Sequence, residues 1–198
     1  MDIHTAKEFI SNYADESRER IAFAWNGEHA DEFEDANASF RAQIITYVLE
    51  NPGVAPVILI RDLFLIEAEW SHEAWCVSNA FAQLGEMLLT RSVDEYLDDF
   101  LQGYRATFDT FSACHAIQLD PIILEALIKA INTRLATECD EENRKLLSAG
   151  KELFAKIRAG TAAEGLVVLT ADTRVTNIRI VKSPGSIWER IKGFFRRR

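Results

Sequence analysis

PVILIRDLFLIEAEWSHEAWCVSNAFAQLGEMLLT, residues 56–90, decides the fold class of this chain. Pro56 suits the first turn of a helix, where its missing N–H would be unpaired anyway. Apolar residues then lie nearly all round over 57–66, which marks a helix buried on every side rather than an amphipathic one. The pattern stays helical as far as Thr90, and a break near Ser71 would divide it; the spacing leaves one helix or two open. A helix that is apolar all round needs other helices around it, so the rest of the chain is read as its packing partners.

Helix signals recur on both sides. Thr5 and Glu8 have capping-box spacing, and Phe9, Tyr13, Ile21 and Ala24 follow near helical intervals. A segment over about 30–50 places Phe33, Phe40, Ile44 and Val48 on one stripe, ended by Asn51-Pro52-Gly53. Ser92 and Glu95 form a second capping-box pair, followed by an aromatic stripe, Tyr96, Phe100, Tyr104, Phe108 and Phe111, expected to face the core. Asp120-Pro121 reads as an N-cap and first turn, with Leu124, Leu127, Ile131 and Leu135 as the buried face. Asp140 is expected to cap a last long helix carrying Leu146, Leu147, Leu153, Phe154 and Ile157, and Gly160 to stop it.

The character changes after Gly160. LVVLT (166–170) and RVTNIRIV (174–181) are rich in β-branched residues and are separated by a short polar connector, the pattern of a β-hairpin. Ser186 to Arg198, SIWERIKGFFRRR, begins with the capping pair Ser186 and Glu189. The expected fold is therefore mainly α, a multi-helix antiparallel bundle or a short array of helical hairpins. It has a small C-terminal β-hairpin and a short basic amphipathic tail helix. Residues 1–160 form the helical domain, 161–185 a hairpin appendage packed on it, and 186–198 the tail.

Charge divides the chain the same way. The whole sequence carries −9 and residues 186–198 carry +4, so residues 1–185 carry −13. An acidic body disfavours nucleic acid, whose phosphates need clustered Lys and Arg, and suits a basic protein partner. Three cysteines, Cys76, Cys114 and Cys139, are odd in number and lack C-x-x-C spacing, which reads as free thiols in a reducing compartment. MDIHTAKEF holds no apolar signal region, and Arg61 and Asp62 interrupt the longest strongly apolar stretch. The expected location is cytoplasmic.

Catalytic signatures are not found: G-x-G-x-x-G, G-x-S-x-G and H-E-x-x-H do not occur. The nearest metal-ligand pattern is Glu69-x-x-His72 with Cys76, which helical spacing would place on one side of a helix. It is half of a di-iron carboxylate motif, and no metal or other cofactor is expected. Acidic clusters stand at Glu28, Asp31, Glu32, Glu34 and Asp35, at Asp94, Glu95, Asp98 and Asp99, and at Glu138, Asp140, Glu141 and Glu142. Carboxylates at helix N-termini are favoured by about 0.3–1 kcal/mol each through the macrodipole. The functional alternative is an acidic face for a basic partner. In the tail, Ile187, Trp188, Ile191, Phe194 and Phe195 form an apolar face, beside Arg190, Lys192, Arg196, Arg197 and Arg198.

The leading expectation is a non-enzymatic protein that binds another protein, of the inhibitor, immunity or adaptor type. One alternative is a peripheral membrane protein anchored by the tail. Another is a metal-binding protein or enzyme built on Glu69, His72 and Cys76.

Overall fold

A computed structural model describes residues 3–29, 32–162, 167–168 and 179–180. The described chain is mainly helical. Its α-helices are α1 (Ile3–Ser11), α2 (Ala38–Glu50), α3 (Val57–Ala74), α4 (Phe81–Ser92), α5 (Leu97–Tyr104), α6 (Phe108–Cys114), α7 (Pro121–Thr137) and α8 (Glu141–Ala159), with a 3₁₀ helix over Asp15–Arg20 between α1 and α2. Val167 and Val168 pair antiparallel with Ile180 and Arg179. This ladder is too short to establish the expected hairpin, the rest of which lies outside the described residues, as does the tail.

The all-round apolar reading of 57–66 matches the packing. α3 contacts α4, α5 and α6, and Leu59, Ile60, Leu63, Phe64 and Ile66 are wholly buried. Phe64 of α3 stacks on Phe81 of α4 at 4.5 Å and on Phe100 of α5 at 5.5 Å. Phe100 in turn stacks on Phe154 of α8 at 6.1 Å. One aromatic column therefore ties four helices together, and such pairs contribute about 0.5–1.5 kcal/mol each beyond burial of their area.

Residues 57–90 form two helices, and Ser71 lies inside the first of them. α3 runs on to Ala74 because Ser71 is buried and its hydroxyl shares a hydrogen bond with Thr107 at 3.1 Å. The break comes at Trp75, which takes a left-handed conformation (φ 54°).

Three expectations fail for local reasons. Thr5 lies inside α1 rather than at its cap. Phe33 sits in the loop before α2, which starts only at Ala38. Ser92 ends α4 instead of starting α5, because its hydroxyl donates back to the Leu88 carbonyl at 2.8 Å. The aromatic stripe is consequently split: Phe100 and Tyr104 are buried in α5, whereas Phe108 on α6 is 71% exposed.

The later caps match their spacing. Asp120 accepts from Ile122 N at 2.8 Å, and Asp140 accepts from Asn143 N at 2.9 Å. Gly160 closes α8 at φ 69°. α7 and α8, joined by three residues, pack along each other as a helical hairpin.

Candidate functional site

The most distinctive surface is made by the loop 21–37 and the end of α3. In loop 21–37 Trp25 and Asp35 form an antiparallel bridge, and polar clamps hold the described residues around it. The Asn26 carboxamide donates to Glu32 O at 2.7 Å and accepts from Glu28 N at 3.1 Å and Glu34 N at 3.2 Å. Trp25 Nε1 donates to Glu28 O at 2.8 Å. Asn37 Nδ2 donates to Glu19 O and Ala22 O at the loop's base. Asp35 accepts from Ala24 N and Asn37 N, both at 3.1 Å.

The loop is anchored inward by an ion-pair network. Arg41 of α2 donates to Asp35 at 2.6 Å and to Glu67 of α3 at 2.7 Å, and its guanidinium also reaches Ile21 O at 3.3 Å. Burial disfavours charge on Arg41, but the two carboxylates outweigh it and raise its pKa further above an already high value. A neighbouring site repeats the pattern: buried Asp62 takes Tyr13 OH at 2.6 Å and Arg61 at 2.7 Å. Burial, followed by the bond to Asp62, pushes the Tyr13 hydroxyl well above its ordinary range.

With its backbone fixed in this way, the loop presents aromatic rings. Trp25 lies 6.3 Å from Phe23, 4.9 Å from His29 and 6.5 Å from Phe33. Phe33 meets Trp70 of α3 edge-on at 6.4 Å. His29 is 6.3 Å from Trp75, which is 80% exposed. The two segments that build this surface, residues 21–37 and 69–75, contain no Lys or Arg. Glu28, Glu32, Glu34 and Glu69 are exposed on them.

The acidic candidates of this surface divide. Glu28, Glu32 and Glu34 are on it, and Asp31 lies outside the described residues. Asp35 does not belong to an acidic face: its side chain is 1% exposed and neutralised by Arg41. In the second cluster Asp94 and Glu95 are exposed in the turn before α5, but Asp98 pairs with Arg134. Asp99 is half-buried near Arg61. In the third, Asp140 is spent on capping α8, and Glu142 pairs with Lys145 at 2.7 Å.

The Glu69, His72 and Cys76 arrangement is not assembled. Helical projection stops at Ala74, so Cys76 leaves the line that spacing predicted, and His72 Nδ1 lies 2.9 Å from Glu73. Among the described residues, no three His, Cys, Asp or Glu side chains come together as a metal site. The tail candidates Ile187, Trp188, Arg190, Ile191, Lys192, Phe194, Phe195, Arg196, Arg197 and Arg198 lie outside the described residues. No helix among those described is long and apolar enough to cross a membrane.

Sequence reading missed Trp25, His29, Phe33 and Trp75 as a group. The available signal was W-x-x-x-H in a stretch with no basic residue, but the aromatic partners stand about 50 residues apart in the chain and only folding joins them.

A cleft of about 440 Å³ opens between the α6–α7 connection and the end of α8, lined by His115, Leu119, Leu124, Ile157 and Ala162. The Arg158–Glu125 ion pair, at 3.3 Å, stands on its rim.

In comparisons with family models, curated proteins and solved structures, the chain matches none of them.

Proposed function

We propose that this protein works by binding another protein, and that it does so through the aromatic surface of Trp25, His29, Phe33 and Trp75. The observation that carries the reading is Trp75. Helix C-termini that turn left-handed favour Gly or Asn, and a non-glycine residue there is disfavoured by roughly 1–2 kcal/mol. Trp75 combines that backbone with an indole 80% open to solvent, so it carries a backbone cost in the free protein that no burial of its ring offsets. Large exposed aromatics held on rigid scaffolds are the typical anchors of protein interfaces.

Two features support a basic partner. The surface-forming segments carry exposed carboxylates and no Lys or Arg, which favours cationic side chains by steering and by cation–π contact with the indoles. The described residues of the loop are also held by side-chain hydrogen bonds before any partner arrives, which lowers the ordering entropy lost on association.

The test is capture from lysate by the full chain beside a Trp75→Ala variant, at low and at high salt. The expected result is a stoichiometric basic partner held by the first at low salt, released at high salt, and lost by the variant. Equal recovery by both proteins overturns the assignment to this surface. Recovery of no stoichiometric partner counts against a protein-binding role.

A further inference from the structure

We infer that the chain carries its own ligand for this surface: residues 186–198 dock on the Trp25, His29 and Trp75 face and compete there with an external partner. This rests on the protein-binding reading above and adds its regulation.

Three observations converge. The segment SIWERIKGFFRRR holds five basic residues, one acid and three aromatics, the complement of a face with indoles, an imidazole and exposed carboxylates. The face-forming segments 21–37 and 69–75 offer no Lys or Arg to repel it. The competing acidic region around α5 is already partly neutralised, with Asp98 paired to Arg134 and Asp99 near Arg61, so its pull on a basic peptide is weaker.

Reach is not limiting. Val167–Val168, the partners of Arg179–Ile180, contact α6, and α6 contacts α3, whose end carries Trp75; from Ile180 the chain to Ser186 can add up to about 20 Å at ~3.3 Å per residue. A segment tethered this closely acts at an effective concentration near the millimolar range. An intramolecular ligand with a dissociation constant about ten-fold below that value would occupy the face and weaken an external ligand of the same site about ten-fold. A partner must then exceed that threshold or remove the segment.

The experiment uses two full-length proteins: the natural chain, and one with Arg190→Gln, Lys192→Gln, Arg196→Gln, Arg197→Gln and Arg198→Gln. Each is titrated with a synthetic peptide of sequence 186–198, with binding followed through the indole N–H signals of Trp25 and Trp75. The expected result is peptide binding about ten-fold tighter to the charge-neutralised chain, abolished when Trp75→Ala is added to it.

Equal, Trp75-dependent affinity for both chains overturns self-docking and leaves the binding surface standing. Binding to neither chain, or binding that Trp75→Ala does not change, also overturns self-docking. The lysate capture then decides the surface reading on its own.

Discussion

Arg41 Nη2 lies 2.6 Å from Asp35 Oδ2, with the two side chains 3% and 1% exposed. The other edge of the same guanidinium meets Glu67 at 2.7 Å. One buried cation therefore joins α2, the base of the aromatic loop and the central helix. It fixes the loop's position relative to Trp70 and Trp75, which extend from the same helix as Glu67.

Replacing Arg41 by Ala would leave two buried carboxylates without a counter-charge. Breaking a buried pair in this way typically destabilises by about 3–5 kcal/mol, which at this chain length lowers the thermal midpoint by roughly 6–20 °C. Thermal unfolding of Arg41→Ala checks this; a loss of only ~1 kcal/mol would show that the network contributes little.

Trp75 separates function from stability. Trp75→Gly relieves the left-handed backbone and removes an exposed ring, so stability is expected to hold or rise by up to ~1 kcal/mol while capture of the basic partner is lost. Denaturant midpoints and capture measured on the same variant decide it. A large fall in stability would instead assign Trp75 a structural role.

A Cβ at Gly103 of α5 would overlap the Phe64 ring of α3. Phe64 is held between Phe81 and Phe100, so it cannot swing away. Gly103→Ala should gain up to ~1 kcal/mol in helix propensity but lose about 1–3 kcal/mol to overpacking. A net fall in the denaturant midpoint is expected, and a rise would mean the column can shift.

His115 gives the fold a pH dependence of defined sign. It is buried, with Nδ1 2.7 Å from the Phe111 carbonyl. Burial lowers its pKa, the carbonyl bond opposes this, and Lys156 adds to the lowering. The folded state therefore binds the proton less readily than the unfolded chain. Its contribution to stability is complete above the unfolded value of about 6.5 and is lost as pH falls below it toward the folded value. Denaturant midpoints against pH should fall more steeply in that window for the natural chain than for His115→Gln; identical profiles would exclude the histidine as the cause.

Local signals were readable wherever a few adjacent residues decide the outcome. Asp120-Pro121, Asp140 and Gly160 start and stop α7 and α8 because caps act over two to four residues. Ser92-x-x-Glu95 had the same spacing and failed, because a serine hydroxyl can also bond back to the carbonyl four residues earlier, and Ser92 bonds to Leu88. Ser71 looked like a break because its burial and its bond to Thr107 are contacts 36 residues apart. Asp35 looked like one more surface acid because nothing in its neighbourhood reveals a guanidinium with only 3% exposure.

The sequence by itself determined a mainly helical body, its central apolar helix and the opposite charges of residues 1–185 and 186–198, since periodicity, capping and net charge are properties of short windows or sums. Only the tertiary structure decided which charges disappear inside and which rings reach the surface together. Trp25 and Trp75 are unrelated in any window. They come to one face because Arg41 binds Asp35 beneath the loop and Glu67 on the helix, and the energy of that contact exists only when all three elements are folded.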